Sequence, residues 1–227
     1  MATSSPHATP SVPVDDALLD AARRLIHRQP RSLLGIVGAP GCGKSTLAAA
    51  LTEALGPLAV QVPMDGFHLS NQELARLERA GRKGAPDTFD ASGYRDLLYR
   101  LRTPHVDNEV IYAPDFYREI EEPIAASIPV LPEARLVITE GNYLLLQDAP
   151  WPQVAELLDE VWYLDVDNEQ RETWLIERHM RFGRTEAEAK AWVASTDRPN
   201  AERIALTRHR ADRIVRWDDT GLREGTL

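Results

Sequence analysis

The chain has 227 residues, a formal net charge of −9 and a single cysteine, Cys42. That acidity excludes a surface built to coat nucleic acid, one thiol excludes an internal disulfide, and no apolar run approaches the roughly 18 residues of a membrane-spanning helix. A chain of this length is expected to bury one core, and its cysteine usage suits a reducing cytoplasm.

Met1 to Val14 is rich in Ser, Thr and Pro and lacks a basic start, so residues 1–14 are expected to form a flexible tail ahead of a single domain over 15–227. From Asp15, "DDALLDAARRLIHR" repeats apolar residues at helical spacing and stops at Pro30. Ser32 to Val37 reads as a buried strand and Thr46 to Leu55 as a helix. Between them Gly38, Gly43, Lys44 and Ser45 fill every fixed position of the G-x-x-x-x-G-K-[ST] phosphate loop, in the strand–loop–helix setting that loop requires. The residues Gly38, Ala39, Pro40, Gly41, Cys42, Gly43, Lys44, Ser45 and Thr46 are therefore expected to cradle ATP. Backbone N–H groups and the positive helix end form the anion nest, Lys44 reaches the terminal phosphates and the Ser45 hydroxyl ligates Mg²⁺. Gly38, Gly41 and Gly43 keep side chains out of the phosphates' way. Cys42 sits in a free slot of the motif and reads as a tolerated small residue.

Further along, Leu58 to Met64 is a predicted strand, Asn71 to Ala80 and Ser92 to Leu101 are predicted helices, and Glu109 to Ala113 is a short strand. Arg135 to Thr139 and Val161 to Val166 have the apolar, β-branched character of buried parallel strands. Helical stretches follow over Glu169 to Phe182, Thr185 to Ala194 and Pro199 to Arg210, and Arg213 to Trp217 closes the series as a strand. This alternation predicts an α/β fold of the P-loop NTPase kind, a mostly parallel sheet with helices on both faces and a helical lid.

In such a sheet chemistry collects at the carboxyl ends of the strands. Asp65 follows the second strand, Glu140 the fourth, and Asp165 and Asp167 the fifth. Phosphoryl transfer needs one carboxylate near the metal and gains from another that accepts the proton of the attacking hydroxyl. Glu140 suits the first role, with Ser45, and Asp65 the second; a helix cap or a solvated loop acid is the alternative for both. Asp167 immediately precedes a helical run and suits an N-cap.

"GAPGCGKST", "MDGFHL", "RKGAPDTFD", "YAPDFYREIEEP" and "ITEGNY", in that order, resemble the P-loop kinase family of uridine kinase, phosphoribulokinase and bacterial pantothenate kinase. The likeness leans toward the nucleoside- or sugar-kinase-like bacterial members. It runs from about Leu33 to the end of the chain and implies Asp65 as catalytic base and Glu140 as metal partner. It also places Lys83, in "KGAPDTFD", at the edge of the acceptor site. The segment "APDFYREIEEP" departs from the tyrosine-and-histidine pattern by which uridine kinases hold base and ribose, which leaves the acceptor open.

A polyol acceptor is bound by hydrogen bonds to its hydroxyls and by an aromatic wall. His68, Tyr112, Phe116, Tyr117, Arg118, Asn142 and Tyr143 supply both, although each aromatic alone also suits a core and Arg118 a solvated surface. Arg178 and Arg181 lie three apart on one predicted helix, Gly183 breaks it, and Thr185 with Glu188 makes a capping box that starts the next. Such a joint suits a phosphate lid over about 178–196 that excludes water, with Arg178 and Arg181 acting catalytically beside Lys44; an ordinary charged helix face is the alternative.

The expected activity is ATP-dependent transfer of the γ-phosphoryl group to a hydroxyl of a nucleoside, sugar or pantothenate-like molecule, with Mg²⁺. A P-loop ATPase or switch module without such an acceptor is the alternative; the chain carries no N-K-x-D element for guanine. The expected partners are the small-molecule acceptor and, as an option, a second copy in a homodimer; nucleic acid and membrane are not expected.

Overall fold

Helix and strand alternate along most of the computed structural model, which describes residues 12–103, 109–218 and 220–225. Asp15 caps α1 (Asp16–Arg28) by accepting from the Ala17 amide at 3.0 Å. The helix buries Leu18, Ala21, Ala22, Leu25 and Ile26, the spacing of a single face. Next come β1 (Ser32–Val37), α2 (Lys44–Leu55), β2 (Ala59–Pro63), α3 (Asn71–Arg76) and α4 (Ala91–Arg102). An antiparallel hairpin of β3 (Ile111–Tyr117) and β4 (Glu122–Val130) leads to β5 (Leu136–Gly141), α5 (Trp151–Ala155) and β6 (Glu160–Asp165). The chain then runs through α6 (Asn168–Arg181), α7 (Glu186–Trp192), a π-helical turn at Val193–Asp197, α8 (Arg198–Ala205), β7 (Arg213–Asp218) and β8 (Gly221–Gly225).

The main sheet has the order β2-β5-β1-β6-β7-β8, parallel up to β7 and closed by an antiparallel β8. Every residue of β1 and β5 is buried, as expected for central strands covered on both faces. Their alternation divides the core. Leu34, Ile36, Leu136 and Ile138 pack under α1 and α2, while Leu33, Val37 and Val137 pack with Tyr94, Leu98 and Leu101 of α4.

Two expectations are corrected. The strand predicted at Glu109 to Ala113 does not join the main sheet: among the described residues β3 pairs only with β4, in a separate two-stranded sheet. Its register shifts between Ala113 and Asp115, around Pro114, which has no N–H to give a ladder. Val12 to Val14, read as part of the tail, are held against the domain. Residues 1–11 lie outside the described set, but the Leu222 amide donates to Pro13 at 3.0 Å, the Asp15 amide donates to Leu222 at 2.9 Å, and Val12 and Val14 pack against the core. Among the described residues no helix is long and apolar enough to cross a membrane.

Candidate active site

The loop between β1 and α2 turns through Gly43, whose φ of 95° favours glycine. A Cβ there would also fall 2.9 Å from the ring of Trp217, so two constraints fix this glycine. The turn delivers the amino end of α2, with its unpaired N–H groups, to one end of the sheet. The Lys44 ammonium donates to the Gly38 carbonyl at 3.0 Å and the Ala39 carbonyl at 3.1 Å. From the next strand end, Glu140 accepts a 2.8 Å hydrogen bond from the Ser45 hydroxyl. Burial, reinforced by the nearby charge of Asp65, pushes the Glu140 carboxyl above its ordinary range.

Asp65 lies just after β2 on a short 3₁₀ turn, Met64–Phe67. The turn sits under the β3–β4 hairpin because Gly66 has no side chain: a Cβ would come within 2.5 Å of the Pro114 carbonyl oxygen. The hairpin in turn supplies Arg118, whose Nη2 stands 3.2 Å from Asp65 Oδ2. Burial works against the Asp65 carboxylate, yet the positive charge of His68 when protonated, and of Arg118, Lys44 and Arg178, outweighs it and holds the carboxyl below its usual range. His68 Nδ1 is 2.8 Å from the Asp65 carbonyl; a carbonyl only accepts, so that nitrogen carries the proton. Burial pushes His68 below its ordinary value, which favours the neutral ring. That ring packs between Phe89 and Phe116, with centroids 4.0 Å and 4.6 Å away. Lys83 donates to Asn71 Oδ1 at 2.7 Å and to the Glu121 carbonyl, and its ammonium lies 5.1 Å from the Phe116 ring.

One side of the cavity is α6. Arg171, Leu175 and Arg178 follow one another at helical spacing along the phosphate loop. The buried Arg171 donates to the Pro40 carbonyl at 3.0 Å, Leu175 fills the space beside Gly41, and half-buried Arg178 faces the cavity. Burial lowers the pKa of Arg178, and the charge of Arg118 acts in the same direction. Gly183 ends the helix at φ 97°, and the Thr185–Glu188 capping box is formed and starts α7. Arg184 stacks over Trp192 with its guanidinium carbon 4.0 Å from the ring centre. The His179 imidazole meets Asp197 Oδ2 at 2.9 Å, tying α6 to the π-helical turn.

These parts enclose one cavity of about 890 Å³. It brings together Pro40, Gly41, Gly43, Lys44, Ser45 and Thr46 of the loop with Asp65, His68, Lys83, Phe116, Arg118, Glu140, Asn142 and Arg178. Gly38, Ala39 and Cys42 belong to the loop but do not line the cavity; Cys42 is 1% exposed beneath it.

Four more of the residues read as site residues stand elsewhere. Tyr112 is exposed, because the two-residue alternation of β3 buries its neighbours Ile111 and Ala113 and turns it outward. Tyr143 is core: it packs against Phe89 and Trp151, and its hydroxyl donates to the Gly84 carbonyl. Arg181 is exposed on the last residue of α6, about 60° round the helix from Arg178, and misses the cavity. Tyr117 is also exposed outside it. Asp167 caps α6 through the Glu169 and Gln170 amides, and Asp165 pairs with Arg208 and Arg216.

Other lining residues carried no signal in the sequence: Asn71, Phe89, Glu121, Trp174, His179, Asp197 and Trp217. The Trp217 indole N–H donates to the Cys42 carbonyl at 2.9 Å across 175 positions, a contact no local pattern announces. Among the described residues no group of three His, Cys, Asp or Glu could hold a metal ion by itself. The oxygen pair of Ser45 and Glu140 suits a hard cation that takes its remaining ligands from phosphate and water.

Residues 33–217 match the model of the phosphoribulokinase/uridine kinase family. A Schizosaccharomyces pombe protein named "putative uridine kinase" is 39% identical over 198 residues, 83% of each chain. A pantothenate kinase of Mycolicibacterium gilvum is 29% identical over 212 residues, 82% of this chain and 67% of its own. The crystal structure of a "putative fructose transport system kinase" from Silicibacter sp. TM1040 superposes with a TM-score of 0.76 at 38% identity, covering 89% of this chain and 98% of the other.

Proposed function

This chain belongs to the phosphoribulokinase/uridine kinase family, and on that premise we propose that it is a kinase that moves the γ-phosphoryl group of ATP to a hydroxyl of a small polyol. The observation that carries this reading is the meeting of Asp65 with Lys44, Ser45 and Glu140 on one cavity. A carboxylate able to take a hydroxyl's proton thus lines the same cavity as the phosphate loop.

The loop amides and Lys44 would hold the β- and γ-phosphates in line with the acceptor. Ser45 and Glu140 would hold magnesium, whose chemistry there would be charge neutralisation on the phosphate oxygens. Asp65 would orient the acceptor hydroxyl and take its proton. Its depressed pKa makes it a weak base, and a weak base suffices where the transition state is loose and the proton leaves late. Arg178, which faces the cavity, would meet the charge that builds on the transferring group.

On the acceptor side, His68 and Asn142 offer hydrogen bonds, Phe89 and Phe116 an apolar wall, and Lys83 and Arg118 positive charge. This set suits a sugar, a nucleoside or a pantothenate-like acceptor. The test is a panel of nucleosides, pantothenate, sugars and glycerate, scored by acceptor-dependent release of ADP. One acceptor should raise release well above the acceptor-free rate; ADP release that no acceptor changes would favour a P-loop ATPase.

A further inference from the structure

We infer that Trp174 and Trp217 form the surface on which the base of the nucleotide donor stacks, an assignment that rests on the kinase reading above. The strand order gives the direction. The phosphate loop follows β1; Asp65 follows β2, two strand positions to one side, and Trp217 stands on β7, two positions to the other. At about 4.8 Å per strand, Asp65 and Trp217 flank the loop across roughly 19 Å of sheet. In-line transfer sets the acceptor oxygen and the donor's diphosphate on opposite sides of the transferred phosphorus. A donor whose γ-phosphate faces Asp65 must therefore extend its base toward β7.

What stands there is aromatic. Of the chain's five tryptophans, Trp151 and Trp162 are buried core residues, whereas Trp174, Trp192 and Trp217 line the cavity. Trp192 is occupied by Arg184. Trp174 and Trp217 meet edge to face, with centroids 6.0 Å apart and planes at 73°. The Trp217 ring is fixed in place by its N–H bond to the Cys42 carbonyl and by its contact with Gly43. Its one donor is thereby spent, so it holds a base by its face and not by a hydrogen bond. Trp174 is half-buried, and its indole N–H makes no hydrogen bond within the described residues. An aromatic pair that served only as core would not open onto the cavity beside the loop.

The test compares a ligand with a base and a ligand without one. Calorimetric titration of the full chain with ADP and with inorganic tripolyphosphate gives both affinities for the wild type, Trp174→Ala and Trp217→Phe. Stacking of a base on an aromatic side chain is strong enough that Trp174→Ala should weaken ADP about tenfold or more. Tripolyphosphate should stay within about twofold, since the loop is untouched. Trp217→Phe keeps a ring face and should bind ADP within a few-fold of the wild type. Equal weakening of both ligands by Trp174→Ala would make Trp174 a prop of the loop and overturn the assignment, as would unchanged ADP binding. Failure of the wild type to bind even tripolyphosphate would instead strike the phosphate loop, and the kinase reading with it.

Discussion

Arg118 reaches from the β3–β4 hairpin to Asp65, with Nη2 and Oδ2 3.2 Å apart in residues separated by 53 positions. Arg118 is one of the cations that keep the carboxyl below its usual range. Removing it should raise that pKa, because the ionised form loses a favourable charge. In Arg118→Met the acid limb of the kcat/KM profile should therefore move to higher pH than in the wild type. An acid limb that stays in place would detach Arg118 from the titration of Asp65.

Asp65 and Glu140 are expected to fail in different ways. Asp65→Asn keeps size and much of the hydrogen bonding, so it should fold, bind MgATP and lose transfer by roughly two orders of magnitude or more. Glu140→Gln and Ser45→Ala should show losses that depend on Mg²⁺ concentration and shrink as the metal is raised. Steady-state rates across a magnesium series separate the two patterns. Full activity in Asp65→Asn would move the base elsewhere, and a magnesium-independent loss in Ser45→Ala would take Ser45 out of the metal's shell.

Arg178 and Arg181 are now distinguishable. Arg178→Ala should lower kcat more than it weakens ATP binding, since its proposed partner is charge that develops late. Arg181→Ala, altered on the exposed end of α6, should leave both near the wild-type values. Equal effects of the two changes would mean that α6 rotates or extends during turnover.

The sequence made some of this site legible because the chemistry there is local. The phosphate loop demands particular backbone geometry at fixed spacing, and Asp65 and Glu140 each follow a recognisable strand. The Thr185–Glu188 capping box and the Asp167 cap were readable for the same reason: each involves residues two or three apart. What stayed hidden depends on contacts between distant segments. Whether Tyr112 faces the cavity is a matter of strand parity, and whether Tyr143 does is a matter of which aromatics it meets. β4, "EPIAASIPV", has two prolines and two central alanines that hide its alternation. With β4 hidden, so was the hairpin that brings Arg118 over Asp65.

Cys42 gives the phosphate loop a built-in chemical clock. It is the chain's only cysteine, it is 1% exposed, and burial pushes its thiol above the ordinary value against the opposing pull of Lys44. An alkylating reagent can capture it only during moments when strand, loop and helix part, so its rate of modification counts those openings. No label has to be engineered and no second thiol competes. Any molecule that settles in the loop should slow the reaction in proportion to the fraction bound, which turns an unremarkable slot in the motif into a gauge of occupancy.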